Sequence, residues 1–114
     1  MASGTGPIKV LHFGLGPIGV GVVKQVASRK GFKIVGAVDI DPAKAGKDLG
    51  EIAGLGRHLR IKVSDDAKKT ITSAKPDVIV LSTTSSLKRT LPQIESILRL
   101  KVILFILSFY GYFH

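Results

Sequence analysis

Gly14-Leu15-Gly16-Pro17-Ile18-Gly19 decides how this chain is read. It matches G-x-G-x-x-G, a pattern that carries weight only in context: a strand directly before it, a helix directly after it, and an acidic residue about 20 positions on at the end of the next strand. All three are present. Ile8-Lys9-Val10-Leu11-His12-Phe13 is a short apolar strand. Pro17 stands where a first helical residue belongs, because it gives up an N–H that would be unpaired there. Residues 17–29 place Ile18, Val22, Val23 and Val26 near one helical face. Lys24, Arg29 and Lys30 suit the negative end of the helix dipole, and Gly31 stops the helix. Phe32-Lys33-Ile34-Val35-Gly36-Ala37-Val38 is the second strand, and Asp39 ends it.

Beyond Asp39, Asp41-Pro42 predicts an N-cap with proline at the first helical position, opening a short helix closed by Gly50 or Gly54. Ile61-Lys62-Val63 is a weak third strand, and residues 65–73 form a helical turn whose start is solvated by Asp65 and Asp66. Val78-Ile79-Val80-Leu81 is a β-branched run of the kind buried on both faces of a sheet. Residues 87–100 predict a helix with Leu91, Ile94, Ile97 and Leu98 as its apolar stripe, and residues 101–107 a fifth strand. Strands alternating with helices give the fold class: α/β, a Rossmann-type doubly wound parallel sheet in a single domain. The expected boundaries are a flexible N-terminus at 1–7, the dinucleotide-binding domain at 8–107 and an aromatic tail at 108–114.

The glycine pattern has a specific chemistry. Gly14 permits the tight turn off the first strand, Gly16 leaves no side chain between backbone and pyrophosphate, and Gly19 lets the helix press against the sheet. The helix N-terminus offers unpaired N–H groups and partial positive charge to phosphates. Asp39 accepts hydrogen bonds from the adenosine ribose hydroxyls, and its charge repels a 2′-phosphate, so NAD is favoured over NADP. Lys44 and Lys47 lie just downstream and offset part of that repulsion if they fold back. Ser82-Thr83-Thr84 follows the fourth strand, where loops of a doubly wound sheet line the ligand crevice; a hydroxyl-rich helix cap is the competing reading. The histidines, His12, His58 and His114, have no metal-ligand spacing, and no Ser–His–Asp arrangement or metal site is expected.

Composition bounds the rest. The 114 residues allow one domain with a small core, and Cys 0 excludes disulfide staples, cysteine-ligated metals and thiol nucleophiles. Lys+Arg 17 against Asp+Glu 8 gives a net charge of +9, with no acidic residue before Asp39. That balance attracts anions, but no run of basic residues with interleaved aromatics marks a nucleic-acid surface. The start of the chain is small and uncharged, unlike a signal peptide, and the apolar run after Lys101 is well short of the about 20 residues that cross a bilayer. The expectation is a cytoplasmic protein with no membrane or nucleic-acid partner.

Residues 8–19, Val35-Gly36-Ala37-Val38-Asp39, Gly46-Lys47-Asp48-Leu49-Gly50 and residues 76–86 together resemble the N-terminal domain of the dihydrodipicolinate reductase superfamily. The nearer branch is similar to amino-acid-type dehydrogenases such as 2,4-diaminopentanoate dehydrogenase. The resemblance covers about residues 8–100. It implies an NAD(P)-dependent oxidoreductase that moves hydride between nicotinamide and an imine or amino-acid-type carbon. Carried over by position, it implies cofactor contacts from Gly14, Leu15, Gly16, Pro17, Ile18, Gly19 and Asp39, with Ser82, Thr83 and Thr84 beside them. In such enzymes a following α+β domain supplies the catalytic groups, the substrate contacts and the homo-oligomer interface. No catalytic residue is carried over, the expectation being that the C-terminal catalytic domain is missing here. The chain departs from the pattern in its last ten residues, which hold five of its aromatic side chains; a truncated or frame-shifted product is the expectation there. The alternative function is a non-catalytic NAD(H)-binding module with a regulatory or redox-sensing role.

Overall fold

The structure, a computed structural model, describes residues 6–82 and the backbone of one further strand, Ile103–Ile106. The chain runs β1 (Ile8–Phe13), α1 (Pro17–Ala27), β2 (Phe32–Val38), α2 (Leu49–Ile52), β3 (Val63–Ser64), α3 (Ala67–Ala74), β4 (Val78–Leu81) and β5 (Ile103–Ile106). The strands form one sheet in the order β3-β2-β1-β4-β5, and every pairing is parallel. The chain therefore steps outward from β1 through β2 to β3, then crosses back to β4 on the other side of β1. That reversal creates a crevice at the carboxyl ends of β1 and β4.

Both faces of the sheet are covered, as the continuous apolar runs of β1 and β4 require. On one face Leu11, Phe13, Val38, Ile79 and Leu81 pack with Ala67 and Ile71 of α3. On the other, Ala37 and Val63 pack with Val23 of α1, with Leu49 of α2, and with Leu15 and Ala53. Leu11 and Ile79 are fully buried, and each such side chain contributes about 1.5–3 kcal/mol. A bulge keeps the two strands in phase: Val10 pairs with Ile34 but Leu11 with Gly36, so Val35 is the extra residue. Gly36 leaves room for Leu11, whose Cδ1 would stand 2.8 Å from an added Cβ.

Three local expectations are corrected. Asp41 does not open a helix. Its carbonyl accepts from the amides of Lys44 (3.0 Å) and Ala45 (3.2 Å), giving one turn. Gly46, at φ 85, then leaves it and donates to the Val63 carbonyl. The short helix starts at Asp48 instead, whose carboxylate accepts from Gly50 at 2.8 Å, Leu59 at 2.8 Å and Ile61 at 2.9 Å. Burial pushes the Asp48 carboxyl up, but those three amides and the nearby His58 outweigh it and hold it below the ordinary carboxylate range. The third strand begins at Val63, because Ile61 is held by Asp48 and Lys62 forms an antiparallel bridge with it. Along α1, Gly19 and Val23 face the sheet. Ile18, one residue out of phase with that face, is 36% exposed.

Asp66 caps α3 by accepting from Lys69 at 3.0 Å, as the solvated helix start suggested. The predicted helix at 87–100, residues 1–5 and the aromatic tail lie outside the described residues. Among the described residues, no helix is long and apolar enough to cross a membrane. No group of three or more metal-ligating side chains gathers among them either.

Candidate functional site

The residues singled out from sequence converge at the carboxyl ends of β1, β2 and β4. Gly14 leaves β1 at φ 102, a backbone conformation that side chains other than glycine rarely adopt, and its amide donates to the Val38 carbonyl at 2.9 Å. Gly16 is the N-cap of α1, and no side chain caps it. A Cβ on Gly16 would meet nothing within 4 Å, so the space before the helix is open. Pro17 is the first helical residue. Gly19 is buried, and a Cβ there would collide with the Gly14 carbonyl oxygen and stand 3.4 Å from Ser82 Cβ. Ser82 is thus seated against the first turn of α1. Its amide donates to the Phe13 carbonyl at 2.8 Å, while its buried hydroxyl has no partner among the described residues. Thr83 and Thr84 lie outside the described residues.

Asp39 reaches back to the glycine loop. Its Oδ2 accepts from the Leu15 amide at 2.7 Å and its Oδ1 from the Asp41 amide at 2.9 Å. A carboxylate that accepts two amide hydrogen bonds is oriented as well as charged. Lys44 folds over it. Its Nζ donates to the Leu15 carbonyl at 2.8 Å and lies 4.0 Å from both Asp39 Oδ2 and Asp41 Oδ2. Lys47 is exposed, and its side chain makes no hydrogen bond or ion pair among the described residues. Of the two lysines expected to offset Asp39, only Lys44 does so here.

Ile40 joins the residues expected at the site. It is 66% exposed, the most exposed of the large apolar side chains described, and it follows Asp39 directly, just beyond the carboxyl end of β2. The available signal was an isoleucine between two aspartates at a strand end. His12 lies on β1 below the loop, 1% exposed, with neither ring nitrogen partnered among the described residues.

The open approach at Gly16, the uncapped start of α1, the orphaned Ser82 hydroxyl and the oriented Asp39 lie together at the carboxyl ends of β1, β2 and β4. Polyanion recognition at a helix N-terminus needs amides without internal partners. Among the described residues the amides of Gly16, Ile18 and Gly19 have none.

Comparison with known proteins supports the fold and the family. Residues 8–103 match the family described as Dihydrodipicolinate reductase, N-terminus. A 4-hydroxy-tetrahydrodipicolinate reductase of Prochlorococcus marinus is 38% identical over 79 residues, covering 68% of this chain and 28% of that relative. The amine dehydrogenase of Mycobacterium smegmatis superposes with a TM-score of 0.80 at 34% identity, covering 91% of this chain and 30% of that one. A dipicolinate-bound dihydrodipicolinate reductase from Paenisporosarcina sp. TG-14 has a TM-score of 0.67 at 22% identity, over 90% of this chain and 37% of that one; it is similar in fold. The chain thus spans about a third or less of the length of the first two relatives.

Proposed function

Because the chain belongs to the dihydrodipicolinate reductase family, whose N-terminal part it matches over residues 8–103, we propose that it is a nicotinamide-dinucleotide-binding domain serving hydride transfer to or from a carbon–nitrogen centre. The observation that carries this reading is the oriented Asp39 carboxylate, held by the Leu15 amide across the glycine turn. A strand end, a phosphate-accepting turn and a ribose-accepting carboxylate are joined in one hydrogen-bonded unit. A bound nicotinamide cofactor supplies the hydride donor or acceptor.

The chain's own residues bind and orient. Gly14 turns the backbone away from β1, and Gly16 leaves the α1 amides accessible to a pyrophosphate. Pro17 and Ile18 form the first turn that carries these amides, and Leu15 ties the turn to Asp39. The Asp39 carboxylate takes the adenosine ribose hydroxyls, and the exposed Ile40 offers an apolar surface to the adenine. Ser82 belongs to the nicotinamide side of the crevice, and Thr83 and Thr84 follow it in sequence. A reductase of 4-hydroxy-tetrahydrodipicolinate and an amine dehydrogenase among the relatives support an imine or amino-acid-type substrate. Substrate contacts are assigned to no described residue. NAD is the favoured cofactor, because a carboxylate at Asp39 opposes a 2′-phosphate.

Replacing Asp39 by alanine tests the assignment. The expected result in calorimetric titration is a loss of about tenfold or more in NAD affinity, the size of one charge-assisted hydrogen bond, with a smaller loss for NADP. Equal losses for the two cofactors would remove Asp39 from the ribose role and leave it only as the anchor of Leu15.

A further inference from the structure

We propose that the groove between the C-terminal end of α1, the start of β2 and residues 57–61 is a second binding site. Its ligand is a single small amphipathic carboxylate, with the apolar chain on the floor and the headgroup among Lys33, Arg57 and Arg60. The groove has a volume of about 410 Å³, within the size range of small-molecule sites. It lies at the amino end of β2, and the length of that strand puts it roughly 20 Å from Asp39. It is apart from the glycine turn and does not rest on the dinucleotide reading.

Phe32, Ile34, Leu59 and Ile61 make the floor. Ile34, Leu59 and Ile61 also pack on the core cluster of Val23, Leu49 and Val63, so the floor is the outer side of that core. Phe32 is 40% exposed, an aromatic ring left uncovered at a strand start. Three cations and no carboxylate line this apolar surface. Lys33, Arg57 and Arg60 are all exposed, and none has an ion-pair partner among the described residues. Such a surface is complementary to an anion carried on an apolar body, and guanidinium groups take carboxylates through paired N–H donors. A second copy of this chain brings the same +9 charge and is repelled.

The start of α2 holds the two arginines in place. Arg60 has φ 61, a left-handed conformation uncommon for a residue with a side chain. The Asp48 carboxylate accepts from the amides on either side of it, Leu59 at 2.8 Å and Ile61 at 2.9 Å. The Leu49 amide then donates to the Ile61 carbonyl at 2.7 Å. Backbone strain persists only where the surroundings fix it, as these bonds do here. Arg57 is set by Gly50, which approaches so closely that an added Cβ would collide with the Arg57 carbonyl oxygen. Glycine would take the φ of residue 60 without strain; what the arginine adds is a cation at the edge of the groove.

Octanoate is the probe, followed through the backbone amide NMR resonances of the full chain. Saturable shifts are expected at residues 32–34 and 57–61. Octanol, the same chain without the charge, should bind about tenfold or more weakly, and the double variant Arg57→Gln with Arg60→Gly should lose octanoate affinity by a similar factor. Glycine relieves the strain at residue 60, so this variant should keep the wild-type fold. Added salt should weaken octanoate and leave octanol unchanged in the wild-type chain, a readout that stands whether or not the variant folds. No shifts at millimolar octanoate, equal affinities for octanoate and octanol, or an unmoved affinity in the folded double variant would overturn the proposal. Displacement of octanoate by NADH would place the ligand at the glycine turn and overturn it too. A short polyglutamate peptide that shifts the same amides where octanoate does not would assign the groove to a protein partner instead. A chain that binds octanoate at these residues but no NADH would contradict the dinucleotide reading alone.

Discussion

Gly19→Ala is expected to abolish dinucleotide binding and to destabilise the domain by about 1–3 kcal/mol, the usual range for overpacking a tight interior. A methyl group at this position collides with the Gly14 carbonyl oxygen, which is backbone and has no rotamer to retreat into. Either α1 moves off the sheet or the turn after β1 opens, and both displace the amides at the helix start. Gly16→Ala is the informative companion. Its Cβ meets nothing within 4 Å and its backbone is extended, so the folded chain accommodates it at a cost below about 1 kcal/mol. On the proposed function its methyl stands in the path of the pyrophosphate, so binding should be lost with little change in stability. Gly21→Ala, on the exposed side of α1 with open space around it, should stabilise by about 0.5–1 kcal/mol and bind normally. Denaturant melts and NADH titrations on the three variants separate packing from ligand contact. A Gly19→Ala chain with wild-type binding would show that the close approach of α1 to the turn is dispensable.

The second large effect is acid sensitivity centred on His12. Its imidazole is fully enclosed on β1 with no partner for either nitrogen among the described residues, and this burial lowers its pKa from 6.5 to about 4. In the unfolded chain the same ring takes up a proton near pH 6.5. Between those values the unfolded state binds more protons than the folded one, so stability falls as pH is lowered through the window. The loss, fully developed at about pH 4, is about 3 kcal/mol. Urea midpoints measured at pH 7.5 and pH 5 should differ markedly, and His12→Leu should narrow that difference while raising stability at both. An unchanged pH dependence in His12→Leu would show that another group carries the acid response. Restricting the comparison to pH 5 and above keeps it clear of ordinary carboxylate titration.

Much of the fold was legible because its signals are local and redundant. β1, β2 and β4 were read from short apolar runs bounded by glycine or aspartate, and all three occupy the expected residues. The glycine fingerprint added the turn and the helix. The reading weakened where tertiary partners decide. Asp41-Pro42 looks like any helix start, and only the reach of Gly46 to the Val63 carbonyl ends it after one turn. Ile61 and Lys62 have strand-like character, yet Asp48 holds them short of the sheet, so β3 is two residues long.

The site divides in the same way. Gly14, Gly16, Gly19 and Asp39 were legible as types at a required spacing. Lys44 was legible only as a lysine near an aspartate. Its grip on Leu15, 29 positions earlier, depends on how one turn packs over another. The exposure of Ile40 depends on what packs beside the end of β2, which an isoleucine between two aspartates does not reveal. His12 was correctly located inside β1, but a lone histidine in an apolar strand does not reveal whether its nitrogens find partners.

On the proposed function, this chain holds a nicotinamide dinucleotide across the β1–β4 crevice. The direct measurement is a fluorescence titration of NADH with the purified wild-type chain, checked for folding by circular dichroism. Saturable enhancement or a shift of NADH emission, abolished by Gly16→Ala, is the predicted result. A folded chain that leaves NADH emission unchanged at millimolar concentration would contradict it.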